Sequence, residues 1–303
     1  MDHQQTYLLN GLVTRQFGLG RIARFRLVKR GRQAATYEVM TAQQHEYLLY
    51  LYPPTFRTEQ LAFTAGVLNG LDRERFSVVP MVAGRSGDYV GEGPQGNHLM
   101  VSLVTSGSAI EPAAMTVHDI SQVGLRLAWM HRLLKEHVEL PDPGPPLVEQ
   151  VDQALQSAPL EGLSEQGRLN LLSALRLPNA GEPGWAHGDI QADALLHDGD
   201  RQLRTVVDWA LLHAGNPLED IVDALWMLCG HPRGGLDQAK AAALLEAYDT
   251  LSPLRRAVWT AAVAQWAGQR VLDAAAGRRA LPPRLAAIAA APEQLAVVIA
   301  SAF

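Results

Sequence analysis

The sequence of 303 residues predicts an α+β fold with two lobes, a small antiparallel β-sheet N-lobe at residues 1–105 and a larger, mainly helical C-lobe at residues 106–303. Short segments rich in aromatic and branched side chains, typical of strands, fill the first hundred residues. After Ser106-Gly107-Ser108 the apolar residues recur every three or four positions, as in amphipathic helices. Beyond Leu218 alanine is frequent, and it favours helices intrinsically.

The N-lobe begins with strands and continues with one helix. An antiparallel meander is predicted by three closely spaced strand-like segments, at residues 25–29, 37–41 and 47–52. Pro53-Pro54 ends the third strand because proline supplies no ladder donor. Thr58 is the expected N-cap of a helix over residues 59–71.

The later elements follow from the same signals. Residues 78–82 and 89–90 flank a polar, glycine-containing turn and predict a hairpin, and residues 99–105 form another apolar strand. The apolar spacing predicts helices over 117–134, 147–156 and 164–175. Two short strands are expected near 194–197 and 203–207, before the helical C-terminal part.

Composition and charge exclude several classes of protein. Hydrophobic residues make up 48% and charged residues 19%, which excludes a disordered chain. The net charge of -5 does not indicate nucleic-acid binding, because nucleic-acid-binding proteins usually carry an excess of basic residues. A single cysteine, Cys229, cannot form an internal disulfide or a cysteine-rich metal site.

The sequence also carries no targeting signal that we recognise. Its first ten residues lack the basic region and apolar run of a secretory signal. The stretch most similar to a membrane span, residues 261–300, is interrupted by charged side chains. We therefore expect a cytoplasmic protein with no nucleic-acid and no membrane partner.

Two acidic residues near predicted strands suggest phosphoryl transfer. His187-Gly188-Asp189 forms a tight turn before an apolar segment, and Asp208 ends a second short strand in Val206-Val207-Asp208-Trp209. One such carboxylate can orient a substrate hydroxyl and accept its proton, and the other can hold Mg²⁺ at nucleotide phosphates. A lone His-Gly-Asp triplet is weak evidence, because Asp-containing turns commonly satisfy only backbone donors.

The order of these motifs resembles the aminoglycoside phosphotransferase, choline kinase and type II homoserine kinase group. The segments 187–189, 207–209 and 215–220 are similar to that group's catalytic loop, metal-binding turn and following helix. Residues 125–131 resemble its helix ending in Leu-His, and 37–39 and 47–52 resemble its second and third strands. The resemblance implies a protein-kinase-like two-lobed fold and an ATP- and Mg²⁺-dependent kinase of a small hydroxyl-bearing molecule.

The resemblance also implies roles for single residues. Asp189 takes the role of catalytic base, Asp208 that of magnesium ligand, and Asp220 holds the local backbone rather than reacting. Adenine is expected against the strand around Val101, Leu103 and Val104.

The sequence departs from the group's pattern at three places. Ala194 stands where the group has an asparagine metal ligand, and Asp193 beside it is a weak substitute because a strand would turn its side chain to the opposite face. Tyr50 stands where the group has a phosphate-binding lysine, and Arg32 is the candidate that could supply the missing charge. The loop 31–36 holds a single glycine, which is weak evidence for a backbone that closely surrounds nucleotide phosphates.

Because of these departures, alternatives to the kinase stay open. A kinase-like binding or regulatory protein with little or no phosphoryl transfer would explain the losses at Ala194 and Tyr50. A hydrolase using Asp189 and Asp208 for metal-assisted hydrolysis lacks the further His and Asp ligands that such sites use.

Overall fold

A computed structural model describes residues 3–31, 33–142, 144–157, 160–178, 182–231, 235–255, 258–276 and 280–302. The chain divides into two compact units. The first comprises Met1–Ser108, Leu196–Asp198 and Arg204–Ala210, and the second comprises Ala109–Leu195, Gly199–Leu203 and Leu211–Phe303. These are sets of residues in mutual contact, and the predicted lobe boundary after residue 105 stays a prediction.

The first unit contains a five-stranded antiparallel sheet in the order β1-β2-β3-β5-β4. Its strands are β1 (Ile22–Arg30), β2 (Ala35–Thr41), β3 (Glu46–Tyr52), β4 (Gly91–Glu92) and β5 (His98–Leu103). Its helices are α1 (His3–Phe17) and α2 (Thr58–Arg73). The predicted antiparallel meander of the first three strands is confirmed.

Both faces of this sheet are covered. On one face Leu9 and Val13 of α1 pack with Leu49 and Val101. On the other face Tyr50 and Met100 pack with Leu61 of α2. Successive strand residues point to opposite faces, so β3 and β5 are apolar on both sides and lack a simple polar alternation.

Three predictions for this unit are wrong. The sequence predicted strands followed by one helix, but a second helix, α1, precedes the strands, and its Leu9, Val13 and Phe17 recur every four residues. Helix α2 begins at Thr58 with Arg57 as its N-cap residue, and no side chain caps it. The 78–90 segment forms no hairpin.

Residues 78–82 instead run beside β5. Met81 makes an isolated bridge with Ser102, and the Val82 amide donates to the Val101 carbonyl at 2.8 Å. Pro80 lacks the amide hydrogen that a longer ladder would need. The strand that pairs with this edge of β5 is β4, which begins directly after residues 89–90, the predicted second strand of the hairpin.

The second unit is mainly helical, and the predicted helices are confirmed. Its helices are α3 (Val117–His137), α4 (Leu147–Ser157), α5 (Glu165–Leu175), α6 (Leu218–Leu228), α7 (Gln238–Asp249), α8 (Trp259–Ala276), α9 (Pro283–Ala290) and α10 (Pro292–Ser301). Thr116 and Asp119 form a capping box at the start of α3. Gly124 lets α3 approach α7 closely, because a Cβ there would lie 2.3 Å from the Leu244 carbonyl oxygen.

Four short strands frame the candidate functional segments. The strands β6 (Gly184–Ala186) and β9 (His213–Gly215) form one pair, and β7 (Leu195–His197) and β8 (Leu203–Val206) form another. The predicted strands near 194–197 and 203–207 are thereby confirmed. The His187-Gly188-Asp189 loop follows β6, and Asp208 follows β8.

Within the described part of the chain, no single helix has the length and apolar character needed to cross a membrane. Helices α9 and α10 meet that criterion only when joined, and they are bent by 90° at their junction.

Candidate active site

Buried Asp220 of α6 holds the loop that follows β6. One of its carboxylate oxygens, Oδ2, accepts from the His187 amide at 2.7 Å, and Oδ1 accepts from the Gly188 amide at 2.9 Å. The Nε2 atom of His131 on α3 lies 2.9 Å from Oδ2, and Nδ1 of the same ring lies 2.9 Å from the Tyr248 hydroxyl. The backbone-holding role that the resemblance implied for Asp220 is confirmed.

The electrostatics of Asp220 favour its charged form. Burial alone would raise its pKa, but the hydrogen bond and charge of His131, together with the Gly188 amide, hold the pKa below its ordinary value. The carboxylate is thus ionised and able to accept from both loop amides.

Asp223, one helical turn further along α6, holds the next part of the loop. Its Oδ2 accepts from the Ile190 amide at 2.7 Å. Its Oδ1 accepts from the Trp266 indole at 3.0 Å and lies 2.8 Å from the guanidinium of Arg270. Arg270 also donates to the Gly188 carbonyl at 2.9 Å. Burial raises the pKa of Asp223 against the lowering effect of Arg270 and Trp266.

Gly188 is required by the shape of this loop. Its φ is +81°, in the left-handed region that glycine adopts without strain. A Cβ at this position would lie 2.6 Å from the Leu211 carbonyl oxygen. The middle residue of His-Gly-Asp is therefore fixed by both backbone angle and space.

Asp189 lies in this rigid loop and is itself buried, with 4% of its surface exposed. Its amide donates to Nδ1 of His187 at 3.2 Å, and its Oδ1 accepts from the side-chain amide of Gln191. The backbone amides from 187 to 190 are thus all bonded, which fixes the backbone that carries the Asp189 side chain.

His213 of β9 lies beside the same loop and forms an ion pair with Glu219. Its Nε2 lies 3.3 Å from Glu219 Oε2, and its Nδ1 lies 3.0 Å from the Leu211 carbonyl oxygen. Burial would lower its pKa, but the hydrogen bond and charge of Glu219 outweigh burial and raise the pKa to about 9. Protonated His213 therefore stabilises the folded protein.

We expect this stabilisation to be lost at alkaline pH. The pKa is raised on folding, so the contribution is complete below about pH 6.5 and disappears as the pH rises through about 9. The melting temperature of wild type should fall over this range, and that of His213→Gln should fall less. Circular dichroism melts at several pH values would measure both. The exposed His118 gives the control, because His118→Gln should keep the wild-type slope; an unchanged slope in His213→Gln would refute the assignment.

Asp208 follows β8 in a tightly held turn of the first unit. Its φ is +65°, an uncommon backbone conformation in which Asp is tolerated better than most residues. The turn is anchored where Trp209 donates to the Val206 carbonyl at 2.9 Å and where Gln60 of α2 donates to the Ala210 carbonyl at 3.1 Å. The carboxylate itself is 31% exposed.

Tyr50 of β3 and Asp208 line the same small cavity, whose volume of about 20 Å³ is enough for about one water. The Tyr50 hydroxyl accepts from Ser102 at 3.3 Å. Burial, with a further contribution from the charge of Asp208, raises the pKa of Tyr50 to about 12. Tyr50 is therefore neutral at physiological pH. Sequence reasoning missed a cation beside Asp208: Lys29 of β1, whose Nζ lies 3.2 Å from Asp208 Oδ2.

The other predicted nucleotide contacts are distributed over the first unit. Val101 is fully buried on the α1 side of the sheet, whereas Tyr50 faces the α2 side. Leu103 and Val104 are 47% and 40% exposed. Arg32 lies outside the described residues. A nucleotide contact at these positions stays a prediction.

The position of the missing asparagine also differs from expectation. Residues Ala192–Ala194 form a 3₁₀ turn before β7, so the strand argument used for Asp193 was wrong. Ala194 is buried and Asp193 is exposed. Alanine offers no side-chain oxygen, and Ala194 therefore supplies no ligand to a metal.

Comparison with known proteins identifies the family. A family model described as the phosphotransferase enzyme family matches residues 24–254, which is most of the chain. The chain belongs to this family. The match favours phosphoryl transfer over the kinase-like binding protein that the sequence left open. No curated protein matches the sequence.

Solved structures of related phosphotransferases share the fold. An aminoglycoside phosphotransferase from Alicyclobacillus acidocaldarius is 14% identical, with 97% of this chain and 93% of that chain covered and a TM-score of 0.61. A microcompartment-associated aminopropanol kinase is 17% identical, with 98% and 95% covered and a TM-score of 0.65. An amicoumacin kinase in complex with AMP-PNP and Ca²⁺ is 14% identical, with 99% and 94% covered and a TM-score of 0.65. The predicted kinase-like α+β fold is confirmed.

The donor set of this phosphotransferase fits a metal that arrives with a nucleotide. No group of three or more His, Cys, Asp or Glu side chains suited to a metal is found among the residues that the structure describes. Nucleotide-bound Mg²⁺ needs only one or two protein carboxylates, because phosphates and water complete its six ligands. The partly exposed carboxylate of Asp208 meets this requirement.

Proposed function

We propose that this protein transfers the γ-phosphoryl group of ATP to a hydroxyl group of a small molecule, with Asp189 as catalytic base and Asp208 as the Mg²⁺ ligand. The observation that carries the proposal is the fixed loop around Asp189, whose amides are bonded to two buried carboxylates of α6 and to His187. Such pre-organisation is what positions a base for one substrate proton.

In this reaction the acceptor oxygen bonds to the γ-phosphorus as the bond between that phosphorus and the β-γ bridging oxygen breaks. The acceptor proton passes to a carboxylate oxygen of Asp189, and ADP leaves. Mg²⁺ supplies charge neutralisation at the phosphates when it is bound. Asp208 would hold the ion from a turn whose backbone is anchored by Gln60 and Trp209.

The use of a nucleotide is supported by the relatives. The amicoumacin kinase was solved with AMP-PNP, and a spectinomycin phosphotransferase of the same fold was solved with ADP. We place the adenine against the end of the β5 strand near Leu103 and Val104, and we count Tyr50 and Arg32 among the nucleotide contacts. Val101 would contribute only its backbone, because its side chain is fully buried on the α1 side. Because ATP is the donor, we also propose a cytoplasmic location. Relatives solved with small molecules support a small-molecule acceptor.

Nucleotide binding with and without Mg²⁺ tests this function. We expect ATP with Mg²⁺ to raise the melting temperature more than ATP alone, because a ligand that binds only the folded state stabilises it, by about 2.7 kcal/mol at a hundredfold excess over Kd. Asp208→Asn should remove the Mg²⁺-dependent part of the shift. Differential scanning fluorimetry measures the shift for wild type and for Asp208→Asn, each with ATP alone and with ATP and Mg²⁺.

The matched control is Asp198→Asn in the same unit. Asp198 is also a partly exposed carboxylate paired with a cation, here Arg204, and its loss should leave the Mg²⁺ response unchanged. If the wild-type protein responds to no nucleotide, a kinase-like binding protein without phosphoryl transfer becomes the better account. If Asp208→Asn keeps the full Mg²⁺ response, another residue holds the metal.

A further inference from the structure

We infer that Lys29 of β1 is the phosphate-binding cation of this phosphotransferase, in place of the third-strand lysine that Tyr50 has replaced. The inference rests on the proposed function, since it names the residue that binds the phosphates of the proposed nucleotide. It is carried by the sheet register and by a contact with Asp208.

The register places Lys29 in one row with Tyr50. Lys29 pairs with Thr36 of β2, Thr36 pairs with Tyr50 of β3, and Tyr50 pairs with Met100 of β5. Directly paired residues of an antiparallel sheet point to the same face. Lys29 and Tyr50 therefore share the face that carries Asp208, two strands apart, or about 10 Å at the usual strand spacing.

A bulge in β1 creates this arrangement. Leu27 pairs with Tyr37, and regular pairing would then set Val28 opposite Thr36 and Lys29 opposite Ala35. The register shift between Leu27 and Lys29 instead sets Lys29 opposite Thr36. An extra residue in one strand moves the following side chains to the other face, and bulges commonly redirect a side chain beside a functional site.

The Lys29 side chain is directed to the predicted metal ligand. Its Nζ lies 3.2 Å from Asp208 Oδ2, and the side chains are 39% and 31% exposed, so both groups can be reached from solvent.

Lys29 supplies a positive charge for nucleotide phosphates, which Tyr50 cannot supply. Tyr50 is buried, and a phenol carries no positive charge. Lysine is scarce in this sequence, occurring at positions 29, 135 and 240, and of these Lys29 contacts the carboxylate assigned to the metal. An ammonium group has three donors, so Lys29 can bond to Asp208 and to phosphate oxygens together.

Nucleotide binding to Lys29→Met tests the inference without measuring turnover. Hydrogen bonds to charged groups contribute enough that we expect ATP affinity to fall about tenfold to hundredfold, while adenosine affinity stays unchanged. Lys29→Arg should retain more ATP affinity than Lys29→Met because it keeps the charge. Calorimetry with ATP and Mg²⁺, and displacement titrations with adenosine, measure these values.

Lys135→Met is the matched control, since Lys135 is also a partly exposed lysine paired with a carboxylate, Glu182. It should bind both ligands as wild type does, and the melting temperature of Lys29→Met should show that this variant folds. If wild type binds ATP and Lys29→Met binds it equally, or loses adenosine in the same proportion, the inference alone is overturned. If wild type binds no ATP, the proposed function fails and the inference with it.

Discussion

Replacing Asp189 with Asn is expected to lower turnover about 10²–10⁴-fold, the range over which a positioned general base contributes. The amide has nearly the size of the carboxylate and can still accept from the side chain of Gln191, so the loop should keep its shape. It cannot take the proton of an acceptor hydroxyl. Release of ADP from ATP measures the turnover, and calorimetry should show ATP affinity close to that of wild type.

Asp193→Asn provides the control for this experiment. Asp193 lies in the 3₁₀ turn after the loop and is exposed, so its loss should leave turnover within about twofold of wild type. If turnover survives in Asp189→Asn, the base has been assigned to the wrong residue. If instead Asp193→Asn loses turnover and Mg²⁺ affinity, Asp193 has taken the metal-binding role that Ala194 cannot fill.

The regular elements could be predicted because their signals are local. The helix at Val117–His137 and the three meander strands each follow from apolar spacing within a few residues. The candidate catalytic loop was found in the same way, since His187, Gly188 and Asp189 are adjacent. The partners that hold the loop were harder to find. Asp223 bonds to an amide 33 residues away, and Arg270 bonds to a carbonyl 82 residues away.

Lys29 shows where sequence reasoning fails for a physical reason. Strict alternation along β1 directs Val28, not Lys29, to the face of Tyr50, and the bulge that reverses this depends on pairing with β2. Pairing register depends on two strands in contact, so the sequence of one strand alone does not determine it. The absence of a lysine at Tyr50 was therefore visible in the sequence, whereas the contact of Lys29 with Asp208 became visible only in the structure.

Asp220→Asn is expected to lower the free energy of unfolding by about 1–3 kcal/mol, the cost of leaving a buried hydrogen-bond donor without its acceptor. The wild-type carboxylate is fully buried and accepts from two loop amides while pairing with His131. An asparagine side chain has one acceptor oxygen, so its amide group would face one of these donors. Urea denaturation followed by circular dichroism measures the loss.

Asp152→Asn separates this effect from the loss of any ion-paired carboxylate. Asp152 pairs with Arg168 at 2.6 Å, but it is 33% exposed, so its replacement should cost less than about 1 kcal/mol. Asp220→Asn should also lower turnover, because the amides of His187 and Gly188 fix the backbone that carries Asp189. A variant with normal stability but slow turnover would mean that Asp220 acts on the reaction itself. Equal stability and equal turnover would mean that α6 does not hold the loop.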